Sequence, residues 1–183
     1  MAGSARLRAP RLDSWDFRQA VGAFTTGVTV VTTSDESGVR YGLTANSFTS
    51  VSLDPPLVLF CVAERSPSLD GFTGSQPGGS GGGSPGRHFA INVLASDQQD
   101  IARRFARPAP DKFAGLAWRT GIFGAPLLDR CIAHIECKLE HVVPGGDHVI
   151  VIGRVHRVRA YDGEPLVFHR SRFGTMADGA AVQ

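Results

Sequence analysis

Between residues 42 and 57 the chain reads Gly-Leu-Thr-Ala-Asn-Ser-Phe-Thr-Ser-Val-Ser-Leu-Asp-Pro-Pro-Leu. Small, hydroxyl and amide side chains occupy a strand-like stretch where larger apolar residues are usual. That leaves room above the backbone and points short hydrogen-bonding groups into it. A flat polar ligand suits such a surface, although residues 44–47 alone also read as a polar edge strand. Ser66-Pro67-Ser68, at a predicted helix start, would present backbone N–H groups and hydroxyls to a phosphate, or simply cap the helix. Lys112 follows a proline-rich turn and could neutralise a phosphate, while an isolated lysine is ordinarily solvated surface. His148 comes directly after Gly145-Gly146-Asp147 at a predicted hairpin tip. From there an imidazole offers a neighbouring pocket one hydrogen bond and a flat face; on its own it reads as a surface histidine.

Other chemistries lose their support. His134, His141 and His148 recur every seven residues, but an odd spacing along a strand puts neighbours on opposite faces, which argues against a metal centre. Neither a nucleophile elbow, a phosphate-binding P-loop nor a zinc-protease helix motif is present. Gly81-x-Gly83-x-x-Gly86 formally matches the dinucleotide fingerprint, yet a strand follows it where a helix is required. Cys61, Cys131 and Cys137 form no C-x-x-C pair, which disfavours a disulfide framework or zinc site and fits a reducing cytoplasm. A net charge of +2 with scattered arginines is no footprint for nucleic acid. No run approaches the ~18 apolar residues of a membrane span. Residues 1–12 lack the apolar region of a secretory signal.

The elements that must position these residues are mostly strands. Ser14 is the expected N-cap of a helix carrying Phe17, Val21 and Phe24, ended by Gly27. The β-branched run from Val28 to Thr33 is the strongest strand signal. Asp35-Glu36-Ser37-Gly38 is a turn into a strand starting near Arg40, and Leu57 to Val62 is a buried strand by its continuous apolarity. A helix is expected with Ser66 as cap and Pro67 at its first position, and His88 to Leu94 is a further strand. Ser96-x-x-Gln99 resembles a capping box before a helix that turns Ile101 and Phe105 inward. From Cys131 to His141 one face carries Cys131, Ala133, Ile135, Cys137 and Leu139, and the other His134, Glu136, Lys138 and Glu140. Residues 144–147 then turn the chain back through 149–152, and a short strand from Pro165 to His169 closes the series. Many strands with antiparallel hairpins predict a mainly β fold, a closed or nearly closed barrel with peripheral helices. One domain over residues 13–176 is expected, with disordered tails at 1–12 and 177–183 and a flexible Gly/Ser-rich excursion at 73–86.

Read together, the segments Phe24-Thr25-Thr26-Gly27-Val28-Thr29-Val30-Val31-Thr32, Gly42 to Leu57, Phe89-Ala90-Ile91-Asn92-Val93-Leu94, Asp111-Lys112-Phe113-Ala114-Gly115 and Gly145-Gly146-Asp147-His148 resemble the short-chain flavin reductases. These are the reductase components of two-component flavin-dependent monooxygenases, and the likeness runs from about Phe17 to Phe173. It implies an FMN-binding split barrel, usually a homodimer, that oxidises NADH or NADPH. FMN or FAD would be reduced and released to a partner monooxygenase. By the same resemblance Gly42, Leu43, Thr44, Asn46 and Ser47 would line the flavin ring and ribityl chain, with Cys61, Val62 and Ala63 as the next strand. Ser66, Ser68 and Lys112 would hold the phosphate end. His148, with Gly146 and Asp147 and assisted by Arg172 and Phe173, would meet the nicotinamide. The Gly/Ser segment departs from the family pattern beside the expected phosphate-binding helix. Two alternatives share the barrel: a flavin store or sensor without turnover, and an enzyme resembling pyridoxamine-phosphate oxidase.

Overall fold

The computed structural model describes residues 12–74 and 87–176. In chain order its elements are α1 (Ser14–Gly22), β1 (Thr26–Gly27), β2 (Thr29–Ser34), β3 (Arg40–Ala45), β4 (Thr49–Leu53) and β5 (Pro56–Ala63). They continue with α2 (Leu69–Thr73), β6 (His88–Val93), α3 (Gln99–Phe105), β7 (Trp118–Thr120) and β8 (Pro126–Leu128). The last are β9 (Ala133–Gly145), β10 (His148–Ala160), β11 (Val167–His169) and β12 (Arg172–Gly174). The fold is mainly β and its pairings are antiparallel, as the strand patterns predict.

One seven-stranded sheet dominates, in the order β3-β2-β6-β9-β10-β5-β4. Its two edge strands, β3 and β4, are consecutive in the chain and joined by residues 46–48 alone. A three-residue link cannot cross the width of a flat seven-stranded sheet, because strands stand about 4.8 Å apart. The sheet therefore curls until β3 approaches β5. This closure puts the polar residues at the end of β3 beside those of β5.

Strand β2 lies between β3 and β6 and has core on both faces. Val31 joins Phe60, Phe89 and Ile91 on one side, while Val30 joins Leu94, Phe105 and Phe113 on the other. A strand buried twice needs an unbroken apolar or β-branched run, and Thr29–Thr33 supply it. Its buried hydroxyls are satisfied: Thr29 Oγ1 donates to Ala45 O (2.8 Å) and Thr33 Oγ1 to His88 O (2.6 Å). Asn92, fully buried on the neighbouring strand, donates to Val30 O and Thr32 Oγ1 and accepts from Leu128 N–H.

Several local expectations are corrected. The cap of α1 is Asp13, whose carboxylate accepts from Trp15 N–H, and the helix stops at Gly22 rather than Gly27. The apolar residues expected on it are not core: Phe17 and Val21 on the helix and Phe24 just after it are 54%, 55% and 76% exposed. The run from Gly42 to Leu57 is not one wall. It divides at residues 46–48 between the two edge strands β3 and β4, and its last two residues open β5. Helix α2 begins at Leu69, two residues later than the Ser66 cap implies, because Ser66 and Pro67 first make a turn in which Leu69 N–H donates to Ser66 O. Ser96 does not cap α3; Gln98 flanks that helix and spends its amide on Ala95 N–H and Asp129 O. The strand expected from Pro165 to His169 begins at Val167 and is not the last, since β12 follows it.

The polar face of β9 is also corrected, since His134 and Glu136 are each only 4% exposed. The β7–β8 hairpin lies over them: His134 Nε2 donates to Leu128 O (2.8 Å), and Glu136 accepts from Ile122 N–H. Strand alternation distinguishes two faces but does not reveal that a distant hairpin will cover the second. The expected tails and the Gly/Ser-rich excursion lie outside the described residues, apart from Leu12, Thr73 and Gly74.

Candidate functional site

The site forms where the curled sheet brings its ends together. β3 delivers Leu43, Thr44 and Ala45, and the link delivers Asn46 and Ser47. Along β5, alternate residues Val58, Phe60 and Val62 are buried in the core while Cys61 and Ala63 remain half-exposed. Cys61 N–H donates to Ser47 Oγ (2.9 Å), which ties the link to β5. β10 pairs with β5 so that His148 stands opposite Ala63, and Glu64 N–H donates to Asp147 O (3.1 Å). The two-residue turn needs Gly146 at φ +79°, a conformation that glycine adopts without steric cost.

These residues enclose a cavity of about 500 Å³, within the range of small-molecule sites. Leu43, Thr44, Asn46, Ser47, Cys61, Val62, Ala63, Ser66, Lys112 and His148 all line it. Gly42 and Ser68 line an adjoining cavity of about 820 Å³, and Lys112 borders both. Gly146 and Asp147, at the hairpin tip next to His148, line neither of these cavities. Arg172 and Phe173 line neither cavity. They belong to β12 in the separate β1-β11-β12 sheet, where the Phe173 ring packs 5.2 Å from that of Phe168.

Sequence reasoning missed Arg65 and Arg107, which line the smaller cavity with Pro67, Phe105 and Pro108. Neither guanidinium forms a hydrogen bond or ion pair among the described residues. The available signals were an arginine directly before Ser66 and another opening the proline-rich segment Arg107-Pro108-Ala109-Pro110. With Lys112 they make part of the wall cationic, as an anionic ligand requires.

Several polar groups are already engaged, which limits what each can offer. Thr44 Oγ1 donates to Ala102 O (2.6 Å), and Ser68 Oγ donates to Gly42 O (3.2 Å). Lys112 Nζ donates to Gly42 O (2.9 Å) and Phe105 O (3.1 Å), leaving one N–H for a ligand. Burial pushes its pKa down. Ser66 Oγ accepts from Ser68 N–H and Ser47 Oγ from Cys61 N–H, so both hydroxyls retain a donor. His148 Nδ1 lies 2.7 Å from Asp147 Oδ1. The hydrogen bond from His148, and then its charge, hold the Asp147 carboxyl below the usual range. An ionised carboxylate only accepts, so the proton sits on Nδ1 and Nε2 remains an acceptor in the neutral ring.

The cysteines divide sharply. Burial pushes the Cys131 and Cys137 thiols up to about 12, whereas Cys61 stands half-exposed at the cavity wall. Brief alkylation of the native chain at pH 8 is expected to label Cys61 alone, and all three after unfolding, as read by mass spectrometry. Native labelling of Cys131 or Cys137 would contradict their burial. Among the described residues no group of three or more His, Cys, Asp or Glu is placed to hold a metal ion.

A cavity walled by polar strand ends, with cations beside it and a histidine at a hairpin tip, agrees with the flavin reductase pattern. The model of the flavin reductase like domain matches residues 21–177. The chain belongs to this family. This flavin reductase-like chain is 43% identical over 149 residues to a stachydrine N-demethylase reductase subunit of Rhizobium meliloti, covering 81% of the chain and 60% of that protein. It is 40% identical over 174 residues to a flavin-dependent monooxygenase reductase subunit of Rhodococcus jostii, covering 94% and 83%. Among solved structures, an NADH:FAD oxidoreductase of Streptomyces globisporus in complex with NAD and FAD fragments is 37% identical, with a TM-score of 0.79 and coverage of 96% and 99%. Of another Rhizobium meliloti relative the chain spans 44% of the length. Among the described residues, no helix of the flavin reductase-like chain is long and apolar enough to cross a membrane.

Proposed function

We propose that the chain is an NAD(P)H:flavin oxidoreductase that reduces FMN or FAD with NADH or NADPH and passes the reduced flavin to a partner monooxygenase. One observation carries this reading. Segments 43–47, 61–67 and 105–112 and His148 converge on a single cavity with polar strand ends and a cationic wall. That donor set fits a flavin: Asn46 and Ser47 suit the polar edge of a ring, and Arg65, Arg107 and Lys112 suit a phosphate. When bound, the nicotinamide supplies a hydride and the flavin accepts it.

The protein's part is to bind, orient and stabilise. Backbone N–H groups near Asn46 and Ser47 oppose negative charge gathering on the ring. His148, its Nδ1–H held by Asp147, keeps Nε2 available to accept from the nicotinamide carboxamide. It orients that ring and donates no obligatory proton. The curled sheet supports a split barrel. The exposed apolar face of α1 supports a homodimer, since patches of this kind mark interfaces; a monomeric mass by light scattering would remove that part. Three free cysteines support a cytoplasmic setting.

The test is nicotinamide oxidation followed by absorbance with each pairing of NADH or NADPH with FMN, FAD or riboflavin. Turnover is expected with at least one pair; tight flavin retention without turnover would overturn the reading. His148→Ala is expected to raise the nicotinamide KM about tenfold, the loss of roughly one hydrogen bond and a stacking face. Flavin affinity should be unchanged. An unaltered KM and hydride-transfer rate would remove His148 from the site.

A further inference from the structure

The β7–β8 hairpin closes over one face of β9, and the His134 imidazole lies beneath it, only 4% exposed. We propose that His134 is an acid-sensitive latch: its protonation loosens the β7–β8 hairpin and, with it, the aromatic wall beside Lys112 at the phosphate end of the flavin cavity. The effect on flavin rests on the flavin reading above; the movement of the hairpin does not.

The ring is committed to its neutral form. A carbonyl only accepts, so the bond to Leu128 O fixes the proton on Nε2 and leaves a bare lone pair on Nδ1. Among the described residues Nδ1 has no hydrogen-bond partner. A second proton would therefore put an unpaired donor and a charge in the interior. The neighbours do not accommodate it. Arg119 of β7 opposes the charge, and Arg159 stands opposite His134 on β10. Asp129, just after β8, and Glu136, two residues along β9, favour it. Glu136, however, already accepts from Ile122 N–H and lies 3.9 Å from Arg157 Nε. Tyr161 presents its ring edge-on at 5.6 Å, and its hydroxyl accepts from Arg119. Asn92, opposite on β6, is spent on Val30 O, Thr32 Oγ1 and Leu128 N–H. Burial is the largest influence and holds the His134 pKa below its ordinary value of 6.5. The closed hairpin is thus fully favoured above pH 6.5 and loses stability as the pH falls below it.

The hairpin also carries Trp118, which pairs in register with Leu128, the residue whose carbonyl His134 holds. The Trp118 ring lies 6.3 Å edge-on from that of Phe113. The Arg40 guanidinium sits 5.1 Å from the Trp118 ring centroid and 5.5 Å from that of Phe113. Arg40 and Phe113 line the cavity of about 820 Å³ together with Lys112, which borders the flavin cavity as well. A short chain of packed side chains therefore runs from the latch to Lys112.

Amide hydrogen exchange of the full chain, read by NMR as protection factors, compares wild type with His134→Gln at pH 7.5 and pH 5.5. Glutamine keeps a donor for Leu128 O and does not titrate. At pH 7.5 the two should agree. At pH 5.5 the Gly121 and Leu128 amides, bonded to Ala125 O and Asn92 Oδ1, should be about tenfold less protected in wild type than in the variant. That is the factor expected when opening frees an imidazole to titrate near its ordinary value. Amides of β2 and β6 should match. Flavin affinity, measured by fluorescence with FMN and FAD, should be equal at pH 7.5 and several-fold weaker in wild type at pH 5.5. Comparison at one pH cancels the ionisation of the flavin phosphate. Wild-type hairpin protection that is the same at both pH values would overturn the latch, whether or not the variant folds. Equal losses in wild type and variant would overturn it too, assigning the response to other groups such as His88 beside Gly124 or His156 beside Phe123. So would an equal loss across β2 and β6, which marks general unfolding. A hairpin that opens while flavin affinity holds would overturn the coupling to the cavity. Absence of flavin binding at pH 7.5 would overturn the flavin reading and leave the hairpin result standing.

Discussion

Gly42→Val is expected to lower stability by about 1–3 kcal/mol and to weaken flavin binding at least about tenfold. A Cβ at Gly42 would stand 2.5 Å from Phe105 Cε1 and 2.7 Å from Cδ1, far inside contact distance. Phe105 cannot simply swing aside. It is buried, its ring lies 5.0 Å edge-on to that of Phe113, and α3 holds its backbone. Strand β3 would have to move instead. The Gly42 carbonyl accepts from both Ser68 Oγ and Lys112 Nζ, so the movement would disturb the wall between the two cavities. Thermal unfolding and fluorescence titration measure the two effects. Wild-type stability and affinity would show that Phe105 yields freely and that the close approach has no role in shaping the site.

Phe60→Ala is expected to cost about 3–5 kcal/mol, the largest stability loss predicted here, and to leave the chain largely unfolded at physiological temperature. Phe60 is fully buried in the middle of β5, with its ring edge-on to Phe72 at 5.3 Å and to Phe89 at 5.1 Å. Those neighbours belong to α2 and β6, so truncation opens a cavity where three elements meet. The alternate residues of the same strand, Cys61 and Ala63, form the flavin-cavity wall. Urea unfolding followed by far-UV circular dichroism gives the cost. A loss below about 1 kcal/mol would mean that the surrounding side chains collapse into the space, contrary to their close packing.

Much of the site was legible because its chemistry lies in short contiguous motifs. Thr44 to Ser47, Ser66, Lys112 and His148 stood out by residue type, and Cys61, Val62 and Ala63 by the family resemblance; all of them line one cavity. Arg65 and Arg107 were not legible, since a surface arginine and a site arginine look alike until the chain around them is placed. The hydrogen-bond partner of Ser68 was not legible for a related reason. The Ser68 hydroxyl suits a phosphate, yet in the fold it is buried and donates to the Gly42 carbonyl. Arg172 and Phe173, which the resemblance sets near the nicotinamide, lie in the small second sheet and do not line the cavity of about 500 Å³. The helical spacing of Phe17, Val21 and Phe24 was legible, but not that their face would remain uncovered within one chain.

The chain's own residues determined the mainly β class, the β2 core run and the β9–β10 hairpin, because these depend on local propensity and period-two alternation. They also marked the run from Gly42 to Leu57 as unusually small and polar. Tertiary structure alone decided that this run divides between the two edges of one sheet. It also brought β3 back beside β5, and covered His134 and Glu136 with a hairpin that precedes them in the chain. Strand order and sheet curl come from long-range pairing and the closure of distant edges, and no local pattern encodes which distant strand will arrive.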